Sequence, residues 1–152
     1  MDAGLISGIL RAMSLEENKA VVRRFIHEGV IGGNLAVIDE LCSPDCVNHS
    51  AVPEARHGTE GVKRVVAFSR AAMPDQRWTQ EMLIAEGDLV VIHGIREATW
   101  QADAFRGVPT PKGKPVAVEL VHIFRFREGK IVEHWAVRDD LGLMKQLGVV
   151  GG

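Results

Sequence analysis

The stretch that decides the fold is Val116-Ala-Val-Glu-Leu-Val-His-Ile-Phe-Arg-Phe-Arg127, then Glu128-Gly129, then Lys130-Ile-Val-Glu-His-Trp-Ala-Val-Arg138. Taken in alternate positions, Val116, Val118, Leu120, His122, Phe124 and Phe126 form an apolar set broken by one imidazole. Ala117, Glu119, Val121, Ile123, Arg125 and Arg127 form the more polar set. A period of two predicts a strand whose even-numbered face is buried. His122 on that face is either a core residue bonded to a backbone carbonyl or a base in a pocket.

The following strand depends on the turn. A three-residue loop Arg127-Glu128-Gly129 with Gly129 as a bulge keeps that glycine at positive φ. It pairs Phe126 with Lys130, His122 with His134 and Leu120 with Ala136. A two-residue turn sets His122 opposite Trp135 instead. The bulged turn is preferred, and it puts His122, His134 and Ala136 on one face with Arg138 at its mouth. Burial and like charge would then hold both imidazoles neutral near pH 7, where they are usable bases. The alternative is that His134 faces solvent.

Outward from this hairpin, period-two segments begin at Arg77 and are separated by Glu86-Gly87-Asp88, by 105–115 and by Glu128-Gly129-Lys130, which predicts a four-strand meander. Upstream the period is helical. Ser14-Leu15-Glu16-Glu17 reads as a capping box opening a helix to about Val30, and Asn34 precedes a short helix ending near Leu41. A third helix follows His57-Gly58 and closes at Pro74-Asp75. Asp139 or Asp140 caps a last one, 141–147. Helices covering one face of a strongly curved antiparallel sheet give an α+β cone with an internal pocket. The expected organisation is a flexible extension at 1–13, one domain at 14–148 and a tail at 149–152.

Composition narrows the function. The 152 residues carry 18 Lys+Arg against 20 Asp+Glu, a net charge of −2, which offers no basic field for nucleic acid. The apolar runs are too short to span a bilayer. No Tyr is present, so the 6 His become the prominent proton carriers. Cys42, Cys46 and His49 lack a fourth ligand at recognisable spacing, so they read as reduced core cysteines and no metal is expected. Phosphate-binding loops, nucleotide fingerprints and nucleophile elbows are missing, so no cofactor is expected. Nothing suggests export, which places the expectation in the cytoplasm.

Gly-Lys-Ile-Val-Glu-His-Trp (129–135), with His-Ile-Phe-Arg-Phe (122–126) before it and Asp-Leu-Gly-Leu-Met-Lys-Gln-Leu-Gly (140–148) after it, resembles the SnoaL-like polyketide cyclases, or ester cyclases, of the nuclear transport factor 2-like superfamily. Asn48-His49, His57-Gly58 with Gly61, and Phe105 to Pro109 add looser matches. The resemblance covers about Ser14 to Gly148. It implies a cone that is commonly dimeric or tetrameric through its sheet, and ring closure by intramolecular aldol chemistry on ester substrates. The family's pocket histidine falls on His122, and a second one on His49. Its acid/base aspartate falls on Ala136, which cannot carry a proton.

Two functions follow as expectations. The first is proton-transfer chemistry (cyclisation, isomerisation, dehydration or hydrolysis) on an apolar carbonyl or ester substrate. His122, His134 and His49 would be catalytic, with Arg138, Trp135, His93, Phe124 and Leu120 against the substrate. The second is a non-catalytic binding protein for an apolar metabolite, motivated by Ala136. The expected partners are that small molecule and further copies of the chain. Arg96 and Glu97 read as a solvated strand end.

Overall fold

The computed structural model describes residues 3–151. Helix α1 (Ala3–Arg24) runs straight into a wider π-helical turn (Phe25–Ile31). It begins eleven residues before Ser14, so Ser14 is interior and the expected capping box does not form. No proline interrupts 3–13, and Gly4 and Gly8 alone do not stop a helix. Of the expected extension and tail, residues 1, 2 and 152 lie outside the described residues, while Val149 packs against the core.

Helix α2 (Leu35–Leu41) leads directly into strand β1 (Cys42–Asn48), and α3 (Gly58–Ala72) precedes the sheet. The long strands are β2 (Arg77–Glu86), β3 (Leu89–Trp100), β6 (Lys114–Arg127) and β7 (Lys130–Arg138). Between β3 and β6 a small hairpin is formed by β4 (Ala104–Phe105) and β5 (Val108–Pro109), and α4 (Asp140–Gln146) closes the chain. The sheet order is β1-β7-β6-β3-β2. The expected antiparallel meander is present, but β1 adds a fifth strand parallel to β7 and makes the sheet mixed. The sequence predicts only a short extended piece at 46–49, because nothing local to it names its partner.

Helices cover the inner face and leave two apolar clusters rather than one. Val22, Phe25, Ile26, Ile38 and Val66 pack on Val90, Ile92, Phe124 and Ile131 at one end. Trp100, Phe105, Val116, Val118 and Leu120 pack on Leu143 and Leu147 at the other. Each such side chain contributes about 1.5–3 kcal/mol by leaving water. The described helices include none long and apolar enough to cross a membrane.

Candidate active site

The β6–β7 hairpin sets the site, and its register differs from both sequence alternatives. Arg127 pairs with Lys130 across a two-residue turn, with Glu128 at φ 50 and Gly129 at φ 75. Two positive φ values in succession match the twist of the strands, which favours this turn over the expected bulged loop. The bulge lies further along. Phe126 faces Ile131 while Arg125 faces Glu133, so Val132 is left over. That extra residue reverses the parity of β7, so that both Ile131 and His134 face inward. His122 consequently stands opposite Ala136, not His134, and Leu120 opposite Arg138. The expected face is kept although the register is moved by two residues.

Diagonal placement still brings the imidazoles together. His122 Nδ1 and His134 Nε2 lie 2.8 Å apart, and the rings stack at 5.0 Å between centroids. Phe124 stacks beneath His134 at 4.7 Å and meets Phe25 edge-on at 5.1 Å, so the pair rests on an aromatic floor. His122 is 8% exposed, and its Nε2 has no partner among the described residues. Burial, and then the charges of His134, Arg96 and Arg138, push its pKa well below 6.5. Burial, followed by His49, pushes His134 down to about 4. Both rings are therefore neutral at pH 7.

These side chains border a cavity of about 390 Å³ between the two apolar clusters. That size suits a small organic molecule. Leu120, His122, His134, Ala136 and Arg138 line it. Phe124 does not, being buried under the imidazoles. Three other expected site residues are on the opposite face of the sheet. His49 Nε2 meets Glu133 Oε2 at 2.8 Å, Trp135 stacks on the His49 ring at 4.7 Å, and His93 Nε2 meets Glu119 Oε1 at 2.6 Å. None of the three borders the cavity. His93 shares its parity with Leu89, Val91 and Ile95, which face outward because Val90 and Ile92 fill the core.

Several residues were missed. Asn48, not His49, is the buried member of its pair; it borders the cavity and accepts from the Ser50 amide at 3.1 Å. Arg96, expected in solvent, is 7% exposed and borders the cavity. Its parity with the inward Ile92 and Gly94 was the available signal. Gly94 leaves room for the Trp78 indole, which a Cβ there would meet at 2.4 Å. Asp139 caps α4 by accepting from the Gly142 amide at 2.8 Å, which frees Asp140 to line the cavity mouth. There Asp140 binds Arg138, and Arg106 from the β4–β5 turn at 2.8 Å. Burial acts to raise its pKa, but Arg138 and then Arg106 outweigh it and hold the carboxyl below its usual value. Asp140 is thus an ionised clamp. No group of three or more metal-ligating side chains occurs among the described residues.

A sheet curled over helices around an inner cavity defines the nuclear transport factor 2-like class of cones. Within that class the SnoaL-like polyketide cyclase model matches residues 20–147, and the chain belongs to that family. Among solved structures it is similar to IdmH of Streptomyces antibioticus, a candidate polyketide cyclase. That pair shares 30% identity over 86% of this chain and 98% of the other, with a TM-score of 0.71. It is similar also to AclR of Streptomyces galilaeus, a candidate hydroxylase, at 29% identity, 90% and 99% coverage, and a TM-score of 0.74. A candidate SnoaL-like cyclase from Jannaschia sp. CCS1 aligns at 26% identity over 90% and 94%, with a TM-score of 0.76. A search of curated protein sequences returned no match.

Proposed function

We propose that the protein is an enzyme that moves protons on an apolar carbonyl or ester substrate bound in the cavity. The observation that carries this reading is the 2.8 Å bridge between two neutral imidazoles, of which His122 keeps a buried, unpartnered Nε2. One proton serves the bridge. With it on His122 Nδ1, Nε2 holds a bare lone pair and acts as the general base. It takes a proton from the carbon beside a carbonyl, and the electron pair moves to the carbonyl oxygen as an enolate. The imidazolium formed is stabilised through its Nδ1–H by His134. The enolate carbon then either adds to a second carbonyl of the substrate, closing a ring as the new alkoxide takes the proton back from Nε2, or is itself reprotonated by the same nitrogen. Cyclisation, isomerisation and dehydration begin from such a transfer; in hydrolysis the same nitrogen would instead take the proton of a water molecule as it adds to the carbonyl carbon. Arg138 orients a substrate oxygen at the mouth, and His49, Trp135 and His93 make no substrate contact.

Exchange of the methyl protons of 2-acetylnaphthalene in deuterated water, followed by NMR, tests the reading. Wild-type protein is expected to accelerate exchange, and His122→Ala to lose about 10²–10⁴-fold of that rate. Unchanged exchange in the variant sinks the role of His122. A second reading, a binding protein for an apolar metabolite, is favoured by Ala136. Tight binding of 2-acetylnaphthalene with exchange no faster than in buffer would support it. Exposed Met82 and Ile84 on the outer sheet face support a homodimer or larger homo-oligomer, which sedimentation checks.

A further inference from the structure

We propose that the cavity is built for an anion, an otherwise apolar molecule whose carboxylate lies on the Arg96 guanidinium deep in the cavity. This deepens the reading above by naming the class of ligand, and rests on it only in taking the cavity as the binding site.

The argument starts from a buried charge without a counter-charge. Arg96 borders the cavity at 7% exposure, yet no carboxylate among the described residues pairs with it. Its Nη1 donates to Ser69 Oγ at 3.0 Å, and its Nε donates to nothing. Guanidinium carries five N–H donors and no acceptor, and burying it unpaired is strongly unfavourable. Burial, and then Arg138, lowers its pKa to about 10, which leaves it charged at neutral pH.

The surroundings add donors and no carboxylate free to pair with it. Ser69 Oγ is already used, because it donates to Gln76 Oε1 at 3.4 Å. Gln76 Nε2 and Trp78 Nε1, behind this wall, are buried donors that likewise lack acceptors. The cavity lining holds three guanidiniums, Arg96, Arg106 and Arg138, against the single carboxylate of Asp140, although the whole chain is acidic. That carboxylate is clamped at the mouth by Arg106 and Arg138, so it does not neutralise Arg96. The cavity interior is therefore positive. The remaining lining, such as Val66, Met73, Val118 and Leu120, suits an apolar body. A planar carboxylate matches the planar fork of Arg96 in shape as well as charge.

Calorimetric titration of the full chain with 2-naphthoate and with its neutral isostere 2-naphthamide tests this. The wild type is expected to bind the carboxylate about tenfold more tightly or better. Arg96→Gln should bring the two within about twofold while leaving naphthamide affinity in place, and Arg138→Gln should keep most of the preference. Equal affinities in the wild type, no binding of naphthoate, or a preference that survives Arg96→Gln would overturn the proposal. Should that variant not fold, ¹⁵N NMR of the wild-type Arg96 Nε–H decides. It is expected to shift when naphthoate is added but not with naphthamide, and an unmoved signal counts against the site. His122→Ala is expected to keep the carboxylate preference while losing proton exchange, so either reading can fail alone.

Discussion

The two faces of the sheet treat the same side chain in opposite ways. Outside, His93 rests on Glu119 at 2.6 Å and His49 on Glu133 at 2.8 Å. Inside, His122 and His134 rest on each other at 2.8 Å, with two buried aromatic rings below them and an unpaired guanidinium nearby. An imidazole beside a carboxylate on this partly exposed face has a counter-charge, and such a pair contributes little to stability. A buried imidazole beside cations has none, so it is driven to the neutral form and keeps its lone pair for other work. Environment, more than residue type, separates the buried histidine pair from the outer ones.

The largest expected effect tests this division directly. His122→Ala should cost about 10²–10⁴-fold in proton exchange, while His93→Ala and His49→Ala should each cost less than about threefold. An equal loss from an outer variant would break the comparison.

Next is packing on the inner face. Gly94→Ala pushes a methyl into the Trp78 indole, and it should destabilise by about 1–3 kcal/mol in chemical denaturation because the ring beside His122 must move. The buried charge gives the opposite sign. Arg96→Met should leave stability unchanged or raise it by about 1–4 kcal/mol, since a desolvated, unpaired guanidinium is replaced by an apolar chain of similar length. Outside, Glu119→Ala should shift stability by less than about 1 kcal/mol.

The pH dependence sharpens the contrast. Both inner imidazoles titrate lower in the folded chain than the ordinary 6.5, His134 at about 4. Between these values the unfolded chain binds more protons than the folded one. Their contribution to stability is therefore complete above about pH 6.5 and is lost as the pH falls towards 4. His134→Phe should flatten that part of the stability profile relative to wild type. NMR of the imidazole ¹⁵N nuclei should find His122 and His134 neutral throughout pH 6–8.

Much of this was legible in the sequence. Alternation in 116–127 was enough to turn His122 inward, whereas His134 and Arg138 reach the same face through the bulge at Val132, which the hairpin motif alone does not specify. Three residues were read wrongly for one reason. His93, His49 and Arg96 each sit where local pattern is equivocal, with polar and apolar residues on both parities, and only contact with the neighbouring strand settles which side is buried. Asp139 and Asp140 are interchangeable as caps in the sequence until the path of the chain into α4 selects Asp139.

The sequence by itself determined the periods: helical to Ala72, two-residue from Arg77, and with them the α+β layering and one inward imidazole. Those are local properties, fixed by how side chains project from a helix or a strand. The tertiary structure decided the bulge at Val132, the parallel docking of β1 and the space left between two apolar clusters. Each depends on which distant surfaces meet and how completely they fill, and pairing across the sheet is not encoded in the spacing of any single strand.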